Sequence, residues 1–499
     1  MKVCFFLQRR FAYIGHVVAC NLKTKFKTID FCALVHMRSS YRFLLEQKDI
    51  HYSSLILDED IHKEIKKTKL DYDYLIWLEN EYGIPNLWPY LYIDRILMNG
   101  QLIREYPHNK PILSEKEMLV AIQITAKKII EFVEKEKPDA VVMSVVGSLS
   151  SLFLYHIAKK KGAKTINIDV TRIKNRVGFS LDYKIFSWLK GIIKEFKQDN
   201  KNKVFLKEAQ EFLNEFRQRP STYLSKNLPS YNNQTKKISH LTFLIPKNLM
   251  RSIRWYTKEI WERIIKTNWD YIDVKIEWLL WDKFIRKVRG LIGYDDFYSP
   301  IDPNEKFVFF PLQYEPEISM MLYAPLYTDQ IHLIKQIARS IPVDHKLYVK
   351  EHPAMVGYRR RKYYKEILKI PNIRLLDPIH NSCDIVRLAK LIITITGTVG
   401  WEAILFKKPV ITFGDIFYNE LSMVKRCRSY EDLAYLVKDQ LTSFTCNEEE
   451  LIYFLGALIK DSVPVNFLDL WQGENSFENI KNDDGIKALS NLLAEKLKI

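Results

Sequence analysis

KPDAVVMSVVGSLSSLFLYHIAKKKGAKTINI, residues 137–168, is the stretch that decides the fold class. Its apolar run at 140–144 predicts a buried strand, and residues 149–160 have the apolar spacing of a helix that follows a Gly-Ser-Leu-Ser-Ser turn. Gly162 closes that helix, and a second strand is predicted at 165–168. A strand, a helix, a glycine and a strand in this order are typical of a parallel sheet covered by helices.

The same alternation continues on both sides of this stretch and returns after residue 306. Outside 137–168, strands are predicted in chain order at 3–7, 31–35, 54–57, 307–311, 346–350, 373–375, 391–395 and 409–413. At 499 residues the chain is too long for one ordinary core. We therefore predict an α/β protein with two doubly wound Rossmann-type domains.

Residues 191–305 break the alternation, because they are rich in lysine, mostly helical in pattern and interrupted by a polar loop at 219–234. We expect an N-terminal Rossmann-like domain over 1–190 and a helical, Trp/Lys-rich insertion or inter-domain module over 191–305. A C-terminal Rossmann-like domain is expected over 306–445, and C-terminal helices over 446–499.

The charge of the chain predicts an anionic partner. The formal net charge is +16 and the pI is about 9.2, which suits nucleic acid, anionic lipid headgroups, or phosphorylated and acidic sugars. Zinc-finger spacing and the aromatic motifs of RNA-binding sheets are absent from the sequence. Nucleic acid is therefore the least favoured of the three.

Cysteine usage and hydropathy predict a cytoplasmic protein. The six cysteines show no CxxC spacing, and several lie in apolar runs, as packing cysteines do in a reducing compartment. The opening residues, MKVCFFLQRRFAYIGH, are interrupted by Arg9 and Arg10, so they predict a first strand rather than a signal peptide. No uncharged run approaches the length of about 18 residues expected of a membrane-spanning helix, so any membrane contact is expected to be peripheral.

The first motif with chemical content is YVKEHP, residues 348–353, at the carboxyl end of a predicted strand. Ligands of open parallel sheets bind beyond these strand ends. Pro353 holds His352 in an extended conformation, which fixes the direction of the imidazole, and an imidazole N–H can donate to a phosphate oxygen. Lys350 lies one pleat away. The alternative is a solvent-exposed loop histidine.

The second motif is LIITITGTVGWEA, residues 391–403, in which a strand runs directly into a turn and a helix. The helix start offers unpaired backbone N–H groups and a positive dipole end, which suit a phosphate. Thr396 and Thr398 add hydroxyl donors, Gly397 allows close backbone approach, and Glu402 is a candidate partner for ribose hydroxyls. Alone, this turn is also compatible with a tight strand–helix connection. The two motifs together are more specific.

With FPLQYEPE (310–317) upstream and TGTVGWEAILFKKPVITFG at 396–414, the sequence resembles the capsule polysaccharide synthesis family, which includes the Kdo transferases of capsule assembly. The HP and Ser/Thr motifs are also similar to those of bacterial sialyltransferases. The resemblance covers residues 306–440 well and 70–180 more weakly. It implies a GT-B fold and a CMP-linked acidic sugar as donor. No metal cluster with ligand spacing appears in the sequence, and the HP and TGTVG motifs can neutralise phosphate without a divalent ion, so neither a further cofactor nor a metal is expected.

By this resemblance, His352, Thr396 and Thr398 hold the donor phosphate, and Gln313 faces the cleft. The N-terminal domain is then the acceptor side and the C-terminal domain the nucleotide-sugar side. In the family, the segment after the glutamine often continues into an acidic residue and a serine. Glu317-Ile318-Ser319 keeps that sense, although Pro316 precedes it.

Sugar transfer needs a carboxylate near the acceptor or the anomeric carbon, as general base or as nucleophile. The candidates in the N-terminal domain are Glu79 and Glu81, predicted on a turn after an apolar run, and Asp169, after the strand at 165–168. Arg172 and Arg176 are either contacts for an acidic sugar or ordinary exposed charges, and the second interpretation is slightly favoured.

The stretch 247–289 has two interpretations. It carries five of the ten tryptophans and 11 Lys/Arg against 6 Asp/Glu, which suits an anionic membrane interface. Its apolar spacing also suits a helical hairpin packed on the catalytic domains, with the lysines in solvent. The sequence leaves both open.

The leading hypothesis is a glycosyltransferase that moves an acidic sugar, Kdo or one like sialic acid, from a CMP-linked donor to a surface polysaccharide or glycolipid. The alternatives are a UDP-sugar transferase or 2-epimerase of the same fold, and a non-catalytic polysaccharide-binding or export protein. The expected place is the cytoplasm, with peripheral contact to the inner face of the cytoplasmic membrane through 247–289.

Overall fold

The computed structural model describes residues 1–82, 86–99, 111, 113–198, 203–220, 246–265, 276–472 and 477–499. Two sheets organise these residues. The strands are β1 (Lys2–Leu7), β2 (Asp30–Val35), β3 (Tyr52–Leu57), β4 (Ala140–Met143), β5 (Lys164–Val170), β6 (Arg176–Ser180), β7 (Phe307–Pro311), β8 (Lys346–Lys350), β9 (Ile373–Leu376), β10 (Leu391–Thr394), β11 (Val410–Thr412), β12 (Val424–Arg426) and β13 (Ser462–Pro464).

The first sheet has the strand order β13-β6-β5-β4-β1-β2-β3, and the second has the order β12-β11-β10-β7-β8-β9. All neighbours in the second sheet are parallel. In the first sheet only β6 runs against its neighbours β5 and β13. The prediction of two doubly wound α/β domains is confirmed.

Helices cover the faces of both sheets. They are α1 (Phe11–Lys25), α2 (Arg38–Glu46), α3 (Tyr72–Glu81), α4 (Trp88–Tyr92), α5 (Arg95–Asn99), α6 (Glu115–Glu136), α7 (Leu149–Lys160), α8 (Leu189–Gln198), α9 (Lys203–Gln218), α10 (Pro246–Ile265), α11 (Ile276–Ile292), α12 (Ile318–Tyr323), α13 (Gln330–Ser340), α14 (Arg361–Leu368), α15 (Ser382–Leu388), α16 (Thr398–Leu405), α17 (Leu433–Thr442), α18 (Glu448–Lys460), α19 (Phe467–Gln472), α20 (Phe477–Lys481) and α21 (Asp484–Leu497). Short 3-10 helices cover Asp58–Lys67, Asp295–Phe297, Pro325–Tyr327, Pro353–Met355 and Phe417–Glu420.

Helix α6 shows why local sequence sets these boundaries. Ser114 accepts a hydrogen bond from the Glu117 backbone while the Glu117 carboxylate accepts one from the Ser114 backbone, so a capping box begins the helix. At the other end Lys137 adopts a left-handed conformation with φ of 46°, which stops the helix just before Pro138. The chain then enters β4, whose four residues are all buried.

The chain crosses between the domains twice. Helices α8 and α9, within the predicted insertion, pack against α18 and join the apolar core of the C-terminal domain. Beyond residue 460 the chain returns, because β13 pairs with β6 and α21 packs on α1. Residues 446–499, predicted as helices, thus also supply an edge strand to the first sheet. The polar loop predicted at 219–234 lies, from residue 221 onward, outside the described residues.

The carboxyl ends of the two sheets face each other. A Cβ added to Gly147, after β4, would lie 2.4 Å from Ile318 Cδ1 of α12, so the Ile318 side chain packs directly on the Gly147 backbone. Arg95 donates to the Pro316 carbonyl at 3.1 Å, and Lys184 lies 2.9 Å from Asp415. The strand ends that bind ligands in such folds therefore line one interdomain cleft.

Candidate functional site

The second sheet has a topological switch point between β7 and β10. From β7 the chain proceeds to β8 and β9 on one side and to β10, β11 and β12 on the other, and this arrangement opens a crevice at the carboxyl ends. Gln313, just after β7, spans the crevice and donates from Nε2 to Thr394 Oγ1 at 3.1 Å. Gln313 is 7% exposed, so it lies at the bottom of the crevice. The hydrogen-bonded pair of Gln313 and Thr394 is called the floor of the crevice below.

Gly397 is required by this floor. A Cβ at residue 397 would lie 2.5 Å from Gln313 Nε2 and 2.6 Å from Thr394 Oγ1, two atoms that already hydrogen-bond to each other. The Gly397 N–H itself donates to Thr394 Oγ1 at 3.1 Å. The turn at Gly397 therefore packs directly against Gln313 and Thr394 at the crevice, and any side chain at residue 397 would push the turn away from them.

Helix α16 begins at Thr398 with an open end. Its N-cap residue, Gly397, is extended (φ −73°, ψ 151°), and within the described chain no side chain caps the first turn. The Thr396 hydroxyl is buried and has no hydrogen-bond partner among the described residues. Backbone N–H groups, the positive dipole end and an unpaired hydroxyl thus converge where an anion is stabilised.

The first sheet has the same switch point, between β1 and β4, and the same floor. There Gln8 Nε2 donates to Ser144 Oγ, also at 3.1 Å. The helix that follows, α7, is closed by a capping box between Ser148 and Ser151. In addition, the buried carboxylate of Asp94 accepts a hydrogen bond from the Leu149 N–H at 3.1 Å. Protein groups therefore occupy the anion position of the N-terminal domain, whereas that of the C-terminal domain is open.

His352 follows β8, which is separated from β10 by β7 and ends at the same carboxyl edge of the second sheet. Its backbone is extended (φ −68°, ψ 127°), as the following proline predicts. The ring Nδ1 accepts a hydrogen bond from the Ala354 N–H at 3.1 Å, so the proton of the neutral imidazole is on Nε2. The ring lies edge-on to Tyr314, with centroids 5.9 Å apart. His352 is half-buried and presents a donor, which is the tautomer that a phosphate contact needs.

A buried charge network, missed by the sequence analysis, supports this loop. Glu351 is 1% exposed and accepts hydrogen bonds from Arg359 and from Tyr364 Oη, the latter at 2.8 Å. Arg359 also donates to the Gln313 carbonyl at 2.8 Å and lies 3.2 Å from Glu315. Burial lowers the pKa of Arg359, but Glu351 and Glu315 outweigh that effect and hold it well above its ordinary value. The network therefore links the strand ends of β7 and β8.

Lys350 and Glu402 lie behind the turn. Lys350 is 4% exposed and donates to the Pro378 carbonyl at 3.3 Å, while Glu402 is 5% exposed with Cys383 Sγ at 3.9 Å. Burial lowers the pKa of Lys350 to about 8 and raises the pKa of Glu402 to about 7. Both side chains are therefore part of the buried structure around the 396–402 turn. The predicted contacts with phosphate and ribose stay predictions.

The candidate carboxylates Glu79 and Glu81 lie in the last turn of helix α3, not on the turn predicted for them. Side chains two residues apart on a helix point about 200° apart, so the two carboxylates do not share a face. Glu79 accepts a hydrogen bond from the Leu87 N–H at 2.7 Å and so ties down the segment before α4. Glu81 is exposed and pairs with Lys160 at 3.3 Å. These are the contacts of structural and surface groups.

Asp169 is placed in the cleft, at the end of β5. Enclosure by the protein raises its pKa, although Arg172 opposes this effect. Burial and then the Asp169 charge raise the pKa of Tyr323, which belongs to the C-terminal domain, so the two side chains face each other across the cleft. Glu317 lies on the same side as Tyr323, and enclosure raises its pKa against the opposing effects of Ser319, Arg95 and Arg172.

The two arginines after Asp169 have separate places. Arg172 has a left-handed backbone (φ 59°) and lies over the Phe417 ring at 5.0 Å, so it reaches across the cleft. Arg176 instead donates to the carbonyls of Ile459 and Ser462, each at 2.8 Å. Arg176 therefore anchors the returning chain and is not an exposed charge. The Arg172 charge opposes the rise in the pKa of both Asp169 and Glu317, so these three charged groups interact in the cleft. They are called the carboxylate cluster below.

Residues 294–425 match the family model described as capsule polysaccharide biosynthesis protein. The resemblance seen in the sequence is confirmed for these residues. They include β7 to β11 and α16, and therefore Gln313, His352 and the whole 396–402 turn. Asp169, Arg172 and the first sheet lie outside the matched segment.

The chain is also similar to single proteins. It is 29% identical over 132 residues to Protein FixF of Sinorhizobium fredii (strain NBRC 101917 / NGR234), across 26% of this chain and 31% of that protein, so it spans about a third of that relative. The Thermosulfurimonas dismutans KpsC beta Kdo 2,7 transferase has 15% identity and a TM-score of 0.39, covering 74% of this chain and 89% of that one. UDP-GlcNAc 2-epimerase from Neisseria meningitidis, bound to UDP-GlcNAc, has 13% identity and a TM-score of 0.28, covering 100% and 99%.

Helices α10 and α11 contact each other and the C-terminal domain. Lys283 Nζ of α11 lies 3.6 Å from the centroid of the Trp255 ring of α10, and Arg289 donates to the Gly357 carbonyl at 3.1 Å. Their outer apolar side chains at least 47% exposed are Met250, Ile253, Trp261, Trp281, Phe284 and Ile292. The pair thus has features of both interpretations, a packed inner face and an exposed apolar one. In the described part of the chain, no helix has the length and apolarity needed to cross a membrane.

Proposed function

We propose that this protein is a glycosyltransferase that moves an acidic sugar from a CMP-linked donor onto a surface polysaccharide or glycolipid. The observation that carries the proposal is the open start of α16, with the unpaired Thr396 hydroxyl just before it and the Nε2 donor of His352 at the same carboxyl edge of the sheet, beyond β8. The family match over 294–425 supports the same assignment, because it covers this site.

The phosphate of the donor binds at the α16 start. The backbone N–H groups of the first turn, the hydroxyls of Thr396 and Thr398, and the His352 Nε2–H all donate to its oxygens. As the bond between the sugar and the phosphate breaks, negative charge grows on the leaving nucleotide, and donors fixed in advance stabilise that charge more than they stabilise the bound donor. Binding and leaving-group stabilisation thus use the same groups.

The carboxylates of the cleft act on the acceptor. Asp169 and Glu317 both have raised pKa values, which suit a base that must take a proton from a hydroxyl near neutral pH. The acceptor oxygen bonds to the anomeric carbon, its proton passes to the carboxylate, and the nucleotide leaves with the bonding electron pair. Arg172, whose charge acts on the pKa of both carboxylates, pairs with the carboxylate of the transferred sugar.

The acceptor binds in a cavity of about 500 Å³ at the domain boundary. Its lining includes Trp88 and Tyr92 of α4 together with Glu317 and Met321 of the C-terminal domain. The two aromatic rings are 44% and 57% exposed, and exposed rings offer flat apolar surface to the C–H faces of sugars. Glu317 belongs to both the cavity and the carboxylate cluster, so an acceptor hydroxyl seated there lies beside a base.

The outer face of α10 and α11 contacts an anionic membrane surface. Exposed tryptophans and phenylalanine insert at headgroup depth, and the exposed Lys247, Arg251 and Arg254 of α10 pair with lipid phosphates. The inner face stays on the catalytic domain through Arg289. This arrangement presents the cleft to a lipid-linked or membrane-proximal acceptor.

The test is nucleotide release by the purified protein. It is incubated separately with CMP-Kdo, CMP-sialic acid and UDP-GlcNAc, with and without a polysaccharide acceptor, and free CMP, UDP and sugar products are measured. Acceptor-dependent CMP release that is lost in His352→Ala supports the proposal. Epimerised UDP-GlcNAc would instead show a 2-epimerase, and glycan binding without any nucleotide chemistry would show a binding protein.

The matched control is Lys160→Ala. Lys160 is an exposed residue of α7 that pairs with Glu81 on the surface of the N-terminal domain. This change removes a charge outside the donor-site groups and should leave CMP release unchanged. A loss as large as that of His352→Ala would show that the assay reports general instability instead of donor chemistry.

A further inference from the structure

Three metal-ligating side chains meet on the first domain, away from the groups assigned to the donor site. His16 and Cys20 are one turn apart on α1, so they share a face of that helix. Asp49 lies in the segment between α2 and β3. The ligand atoms of these three residues all lie within 4.8 Å of one another. The sequence shows no metal-ligand spacing, because the third ligand is distant in the chain and joins the other two only through the fold.

The spacing of the two helical ligands is that of a tetrahedral site. His16 Nε2 and Cys20 Sγ are 3.5 Å apart. Zinc–sulfur and zinc–nitrogen bonds of about 2.3 and 2.0–2.1 Å at a tetrahedral angle give a ligand–ligand separation of roughly 3.5 Å. A zinc ion therefore fits between the two atoms without movement of the helix.

A neighbouring group orients the imidazole. His16 Nδ1 lies 3.1 Å from the hydroxyl of Tyr52 on β3. When Nδ1–H donates to this oxygen, the Nε2 lone pair is directed toward Cys20. Metal-bound histidines usually make such a second hydrogen bond, which fixes the tautomer and the ring plane. His16 is fully buried, so few other orientations are open to it.

Access to the site is from solvent. A cavity of about 280 Å³ is lined by Cys20, Asp49 and Lys481, among others. Lys481 Nζ of α20 lies 3.5 Å from Asp49 Oδ2 and is the cation that a metal would displace from the carboxylate. The open side of the cluster leaves room for a fourth ligand, such as water.

We propose that His16, Cys20 and Asp49 bind a zinc-class divalent transition metal, with water as the fourth ligand. Imidazole, thiolate and carboxylate together are a donor set that suits Zn²⁺ and disfavours Mg²⁺ and Ca²⁺. On binding, the Cys20 thiol gives its proton to solvent, and its thiolate, His16 and Asp49 each donate an electron pair to the metal. The metal joins α1 to the 47–51 segment and so stabilises the outer face of the N-terminal domain.

The test is Co²⁺ titration of the full-length, metal-stripped protein, because Co²⁺ reports its ligands optically. We expect one equivalent to give a thiolate-to-cobalt charge-transfer band and the intense visible bands of tetrahedral geometry, and we expect Zn²⁺ to displace it. Zn²⁺ should also raise the melting temperature. Absence of the charge-transfer band, or an equal response to Mg²⁺, would overturn the proposal.

Variants separate this cluster from other thiols. Cys20→Ser should abolish the charge-transfer band, and Asp49→Asn should weaken Zn²⁺ affinity by about tenfold or more. Cys446→Ser is the matched control, since Cys446 is also a half-buried free cysteine but lies outside the cluster. Lys481→Gln should tighten binding by removing the competing cation. A band that survives in Cys20→Ser, or weaker binding in Lys481→Gln, would show that the metal binds elsewhere.

Discussion

Thr396→Val is expected to change ligand affinity and stability in opposite directions. The substitution keeps the shape of the side chain and removes one hydroxyl. In the ligand-free protein that hydroxyl is buried without a partner among the described residues, and an unpaired buried polar group costs about 1–3 kcal/mol. The valine variant should therefore be as stable as the wild type, or more stable by up to that amount.

The nucleotide should bind the same variant more weakly. A hydrogen bond to a charged phosphate contributes about 1.5–3 kcal/mol, which corresponds to a roughly 10- to 150-fold rise in Kd. Isothermal titration with CMP measures the affinity, and urea unfolding measures the free energy of unfolding. An open helix start that only connects a strand to a helix would leave the affinity for CMP unchanged.

Thr394→Val is the matched control, two residues earlier on the same strand end. Its hydroxyl accepts hydrogen bonds from Gln313 Nε2 and from the Gly397 N–H, both at 3.1 Å. Removing it leaves two buried donors unpaired, at a cost of about 1–3 kcal/mol each. This variant should lose stability. If Thr396→Val loses as much stability as Thr394→Val and keeps its affinity for CMP, the assignment of the Thr396 hydroxyl to the ligand is refuted.

Four further outcomes are expected. His352→Ala should fold normally and lose most transfer activity, and wild-type turnover in that variant would contradict its role. Asp169→Asn or Glu317→Gln should lower kcat about 100-fold with CMP affinity unchanged, whereas near-normal rates in both would place the base elsewhere. Burial raises the pKa of Glu402 to about 7, so the folded state keeps a proton that the unfolded chain has released, and the free energy of unfolding should fall as pH rises from 4.5 through about 7. Urea unfolding should show this fall in the wild type and not in Glu402→Gln. Sedimentation with anionic vesicles should depend on the 246–292 helices and weaken at physiological salt, where charges are screened beyond about 8 Å, and no sedimentation at low salt would favour the packed hairpin alone.

The strongly periodic elements could be predicted from the sequence. Strands β7 and β8 and helix α7 begin and end at the residues expected for them, because each is a continuous apolar or amphipathic run closed by a turn residue. Strands β6, β12 and β13 were missed. Strands β12 and β13 have only three residues each, of which two are polar or proline, so local sequence carries little strand signal and pairing at a sheet edge decides the structure.

The candidate site also contains some residues that local sequence suggests and others that only the fold reveals. His352 and Thr396 could be proposed from the sequence because a strand end and a helix start are local features, and their roles stay predictions. The Glu351–Arg359 pair was missed, since a Glu and an Arg eight residues apart look like surface charges until the fold buries them together. For Arg176 the sequence favours an ordinary exposed charge, but the residue donates to the carbonyls of Ile459 and Ser462. These partners lie more than 280 residues away in the chain, so local sequence could not reveal them. Charges in a sequence do not reveal whether they will be buried.

The two switch points show where sequence patterns stop being informative. GSLSS after β4 and TGTVG after β10 are both small, hydroxyl-rich turns between a parallel strand and a helix, and both sit on a glutamine that spans the crevice. By pattern alone, either predicts a phosphate site. Asp94, more than 50 residues before α7, decides between them, because its carboxylate already fills the anion position of the first domain. We therefore expect the nucleotide to bind at the helix start that the protein's own side chains leave open.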